Sequence, residues 1–153
     1  MNILDVHQYL AATFLPSISI TDPLAATIVR AYATVPDANR GLTDLPCAMA
    51  VEHQLERTAF KPVWIQQDFA IRIDLFVKKS EVEQGQAAEI AAAFSNAIAL
   101  ALSGDQRLGD TVSVIRGLRS DPMPLRLTWA GANYTGATLY LDVTLNTSKE
   151  HSA

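Results

Sequence analysis

A chain of 153 residues, 49% hydrophobic and 18% charged, is long enough to bury one core without staples and too apolar to be disordered or low in complexity. A formal net charge of -4 and a pI near 5.2 argue against a free nucleic-acid binder, which needs a basic patch. The charges form no blocks, and the single cysteine, Cys47, lacks an internal partner; it reads as a buried small hydrophobe after Pro46.

In chain order, Asn2 is placed to cap a first helix over residues 3–14. Ile3, Val6, Leu10 and Phe14 recur at helical spacing there, and Pro16 follows just past the end. Pro16, Pro23, Pro36, Pro46 and Pro62 make the early part extended segments and loops, whereas residues 64–121 hold no proline. Within the early part, residues 26–34 read as a strand, 35–44 as a loop, 45–51 as a short strand, and 52–60 as ambiguous.

Residues 67–102 form the centre of the chain. Phe69, Ile71, Ile73, Leu75 and Val77 alternate with Ala70, Arg72, Asp74 and Phe76, the period of a strand over a core. Ser80 and Glu83 then match a capping box, with Glu81 in the first turn of a helix expected over residues 81–102. Its buried stripe is Ala87, Ile90, Ala91, Phe94, Ile98 and Leu102, and its surplus alanines leave room for a second packed surface. The mostly apolar part, 87–102, is shorter than the about 20 residues that span a bilayer.

Residues 103–110 read as a turn without the Walker pattern. Strands follow at 111–118, 125–129 and 137–145, the last two joined by a loop at 131–136 that carries Tyr134 to the surface. Trp129 reads as core. The expected fold is α+β: a single mostly antiparallel β-sheet with one long and one shorter α-helix packed on one face. It forms one domain over residues 1–153, with a helical region at 1–16 and a polar tail at 147–153.

Chemistry is sparse. His53 lies in Glu52-His53-x-x-Glu56, where a helical turn would pair His53 with Glu56, but a second histidine is missing and no metal site is expected. No nucleophile elbow occurs, so no catalytic residue and no cofactor is expected. Asp68, Arg72 and Asp74 fall on one face of a strand, the pattern of solvated or intersubunit ion pairs.

Across residues 26–145 the chain resembles the tail terminator (tail completion) proteins of long-tailed bacteriophages. Arg30, Tyr32 and Val35-Pro36, then Leu45-Pro46-Cys47, carry the resemblance, followed by the charged strand at 70–79, the long helix and the turn at 105–108. Tyr134-x-Gly136 and the alternating strand 137–143 complete it. The resemblance implies a non-enzymatic virion protein: a hexameric ring that caps the tail tube and meets a head-side connector or stopper. Viral DNA would pass its acidic lumen without specific binding, and the partners would be other copies, the tube protein and neck proteins, with no membrane. It would sit in the tail or neck of the virion after assembly in the host cytoplasm. Arg30, Tyr32, Arg40 in the loop, Asp68, Arg72, Asp74 and Tyr134 are the expected interface residues. Two rival readings are another neck or tail component, and a small cytosolic α+β enzyme or ligand-binding domain using Asp68, Arg72 and Asp74.

Overall fold

The spine of the fold is a pair of long antiparallel strands. In the computed structural model, which describes residues 2–79, 85–123 and 125–148, these are β5 (Trp64–Lys79) and β8 (Ala132–Ser148). Their register runs from Trp64 opposite Ser148 to Lys79 opposite Tyr134. The period-two alternation places Phe69, Ile71, Ile73, Leu75 and Val77 on the same face as Ala137, Leu139, Leu141, Val143 and Leu145, and all ten are buried.

Around this pair the main sheet runs in the order β3 (Arg30–Tyr32), β4 (Cys47–Phe60), β5, β8, β6 (Val114–Ser120), with β7 (Leu125–Trp129) on the other half of β8. Helix α2 (Gly85–Gly104) lays Ala87, Ala91, Phe94, Ile98 and Leu102 on the core face. Helix α1 (Ile3–Tyr9) adds Val6 to the same core, and the turns after it add Leu10 and Phe14. Both helices therefore lie on one face of the sheet, and the α+β class holds. By length and composition alone, residues 86–104 are long and apolar enough to cross a bilayer, beyond the shorter stretch read from sequence. Their apolar stripe is occupied by the sheet.

Several boundaries move, each for a local reason. Asn2 caps α1 by accepting the Leu4 N–H at 3.0 Å. The helix then widens to a π-turn at Leu10–Phe14 and tightens to a 3-10 turn at Leu15–Ser17 that includes Pro16. The expected strand at 26–34 breaks in two. Its first part, β2 (Ala26–Thr27), pairs with β1 (Ser19–Ile20) in a separate two-stranded sheet, and its second part, β3, joins β4 in parallel. The break falls where Ile28 donates to Ile18 O and Val29 to Pro46 O, so the chain changes partner there. The single, mostly antiparallel sheet is thus corrected to two sheets, with one parallel edge pair.

Residues 52–60 complete β4 as a strand, not a helix. The turn after β7 is also shorter than expected: only Ala130 and Gly131 form it, with φ of 51° and 76°, the two positive values of a type I′ hairpin. Gly136 is a strand residue, and a Cβ there would lie 1.8 Å from Leu75 O. Thr147 and Ser148, expected in the tail, pair with Ile65 and Trp64. The proposed capping box at Ser80 and Glu83, Glu81, and residues 149–153 of the tail lie outside the described residues.

A second, smaller cluster lies on the face away from the helices. Cys47, Met49, Phe76, Leu127 and Tyr134 are buried there, with Tyr32, Leu42 and Trp129 packed against them. Trp129 is core-facing, as expected, and its indole N–H donates to Arg40 O at 3.0 Å.

Candidate functional site: a charged sheet face and an exposed hairpin arm

Beyond that second cluster, the helix-free face of the sheet is open and carries charge. Its centre is a cross-strand row in which Glu52 on β4 faces Arg72 on β5, Arg72 faces Tyr140 on β8, and Tyr140 faces Arg119 on β6. Arg72 Nε lies 3.0 Å from Asp74 Oδ1 and Arg72 Nη1 3.9 Å from Glu52. Asp74 also accepts the Thr138 hydroxyl at 2.6 Å. Asp68 accepts Thr144 Oγ1 at 2.7 Å and stands 3.8 Å from Arg116, which reaches across the sheet to Glu56 at 3.4 Å. Arg119 clamps Asp142 with two 2.8 Å bonds and lies over the Tyr140 ring.

These carboxylates are committed to neighbours. Their side chains are 13% (Asp68), 20% (Asp74) and 13% (Asp142) exposed, while the side chains of Arg72 and Arg119 stay 40% and 56% exposed. Burial alone would lower the Arg72 pKa. The hydrogen bond and charge of Asp74 oppose it and carry the net shift upward. Tyr140 is pushed up, first by burial and then by Asp121. With Asp68, Asp74 and Asp142 each held by a neighbour, the network fixes its own geometry. Arg72 and Asp74 also line a cleft of about 350 Å³ against Met49, Phe76, Leu127 and Trp129.

The interface residues expected from sequence fall in three places. Asp68, Arg72 and Asp74 are together on the open face. Arg30 and Tyr32 sit on the edge strand β3, where Arg30 stacks over Tyr32 and lies 3.4 Å from Asp44. Arg40 is on the following loop, 86% exposed and 3.5 Å from Asp37. Tyr134 is the correction. It is not a surface loop residue but one of the largest fully buried side chains, 1% exposed, edge-on to Phe76, with its oxygen accepting the Leu42 N–H at 3.0 Å. Its position in a strand under a two-residue turn explains the burial.

Two features had no sequence signal strong enough to find them. The first is a histidine pair 46 residues apart in the chain. His7 is 3% exposed and its Nδ1 bonds Ala50 O. A carbonyl only accepts, so Nδ1 carries the proton and Nε2 accepts from His53 Nδ1 at 2.9 Å. Burial, the largest influence, lowers the His7 pKa. The expected turn pairing His53 with Glu56 does not form, since both are on a strand. Among the described residues, no group of three or more His, Cys, Asp or Glu is placed to hold a metal ion.

The second is the arm. Past Ala50, β4 is exposed from Glu52 to Arg57 and runs with the start of β5 as a hairpin. Along it, Leu55 (47%), Phe60 (75%), Val63 (54%) and Trp64 (42%) expose large apolar surface. Leu55 and Phe60 share one face of the hairpin and Trp64 lies on the other, so the arm exposes large apolar side chains on both faces, of the kind that mark an interaction site. A comparison with known protein families, with curated proteins and with solved structures finds no match.

Proposed function

We propose that this chain is a structural ring subunit of a virus tail, a tail terminator that caps the tail tube, ends its polymerisation and joins it to head-side neck proteins. The observation that carries the reading is the hairpin arm with its exposed Leu55, Phe60, Val63 and Trp64, on a sheet where, among the described residues, β6 and the part of β4 beyond β3 have no strand beside them. Monomeric proteins blunt such edges, whereas assembling subunits use them. The element order that underlies the resemblance, long strand, long helix, then closing strands, supports the same reading. In it, Arg30, Tyr32 and Arg40 form a loop-side contact, and Asp68, Arg72 and Asp74 belong to a charged face turned toward neighbours or the lumen. The partners are further copies, six by the resemblance, together with the tube protein and a connector or stopper. DNA would pass without specific binding.

Light scattering on size-exclusion fractions tests it, with negative-stain microscopy of the protein mixed with tail tubes. A closed oligomer that decorates tube ends is expected. A strict monomer that leaves tube ends bare would sink the proposal.

The cleft beside Arg72 and Asp74 favours one rival, a small ligand-binding domain. Under that rival, Asp74→Asn abolishes a measured ligand response while leaving the fold intact.

A further inference from the structure

The two open edges of the main sheet are chemically different. On one side β3 covers only Cys47–Met49 of β4, and His7 takes Ala50 O. Among the described residues no strand lies beside the rest of β4. On the other side, among the described residues, β6 pairs with β8 alone. We propose that these edges are the two halves of one seam, so that a second copy of this chain adds its β4, at Glu52–Arg57, to β6 of the first. The inference deepens the ring-subunit reading and rests on it.

Polarity follows from the topology. Each neighbouring pair among β4, β5, β8 and β6 is antiparallel, so β6 runs opposite to β4. A second copy that continues the sheet with its helices on the same face therefore brings β4 in antiparallel to β6. Level also follows. Glu52, Arg72, Tyr140 and Arg119 share one row, and Arg57, Asp68, Thr144 and Val114 share another. A level seam sets Glu52 of one copy beside Arg119 of the next, and Arg57 beside Val114.

The chemistry at those positions is complementary. The Glu52 side chain is 67% exposed and, among the described residues, held only by the long 3.9 Å contact to Arg72. Arg119 spends Nε and one N–H of Nη2 on Asp142, which leaves three of its N–H donors for a neighbour. On the helix side, Leu55 and Phe60 face the way of Phe69 and Ile65. Across the seam that face presents a groove between Ala99, Leu102, Ile115 and Leu118. The Glu52–Arg119 charge pair thus meets on the open face and Leu55 meets Ile115 on the helix face, with no one-residue slip to invert them. Self-pairing of like edges fails the same test. Two β4 edges paired about a two-fold at Gln54 would set Glu52 of each copy against Glu56 of the other, and two β6 edges paired about Gly117 and Leu118 would set Arg116 against Arg119.

The test is cross-linking between separate full-length variants. Arg57→Cys and Val114→Cys are made in a Cys47→Ala background, and also with the buried Cys47 retained in case the background does not fold. Each is treated with a short bis-maleimide, alone and as an equimolar mixture. The mixture is expected to give a covalent dimer, the Arg57→Cys/Val114→Cys double variant a ladder, and each single variant alone only monomer. Glu52→Lys in the mixture is expected to lower the dimer yield roughly fivefold, the effect of losing about 1 kcal/mol at a cross-strand charge pair. Dimer from Arg57→Cys alone overturns the seam in favour of self-pairing. No cross-link in a mixture that light scattering shows to be oligomeric overturns the seam and leaves the ring reading standing. A monomer by light scattering overturns both.

Discussion

Replacing Tyr134 separates a buried anchor from a surface one. The ring is 1% exposed and sits edge-on to Phe76 with centroids 5.5 Å apart, and its oxygen accepts the Leu42 N–H at 3.0 Å. Tyr134→Phe keeps the ring and removes one acceptor. The Leu42 amide is only half-buried, so water replaces part of the bond, and the expected loss is about 1 kcal/mol. Tyr134→Ala removes the ring and opens a cavity in the second cluster, an expected loss of about 3–5 kcal/mol. Urea unfolding followed by circular dichroism reads both, through a lower midpoint at unchanged slope. Protomer concentration must be held fixed, because assembly would add to the apparent stability. If Tyr134→Ala shifts stability by less than about 0.5 kcal/mol, the range of ordinary surface substitutions, the burial argued here is wrong.

Acid should weaken the fold through His7. Its folded pKa is below the ordinary 6.5, so below that pH the unfolded chain takes a proton the folded one refuses. Stability is therefore full above pH 6.5 and falls beneath it, by up to about 1.4 kcal/mol per pH unit from this group; His7→Leu should flatten that part of a melting-temperature profile, and an unchanged slope counts against the assignment. Gly136→Ala should lower stability by about 3 kcal/mol or more in thermal melts, since its Cβ would collide with Leu75 O; a shift of under a degree or two refutes the close approach. Burial, helped by Asp44 and opposed by Arg30, pushes the Cys47 thiol up to about 12. A thiol reagent at pH 8 should leave it untouched in the native protein and titrate it fully in denaturant, and prompt native labelling is the contrary result.

The sequence by itself determined the elements whose pattern is local and strong. Alternation in residues 69–77 and 137–145 and the helical stripe from Ala87 to Leu102 each follow from one apolar face meeting one core, and their apolar positions were buried as read, apart from Ile90, which is only half-buried. The Asp68, Arg72 and Asp74 face follows from the same period. Tertiary structure decided what depends on partners far away in the chain. Residues 52–60 are a strand because β5 is there to pair with, and their own periodicity is confused by the register shifts at Met49/Glu52 and Leu55/Arg57. Tyr134 is buried because β7, Phe76 and the Leu42 loop converge on it, while its own neighbours, Asn133 and Gly136, spell a turn. His7 and His53 meet only because α1 lies against β4. Periodicity reports which face of a segment is apolar; which segment covers that face, and which edge is left bare, is set by contacts that no local window contains.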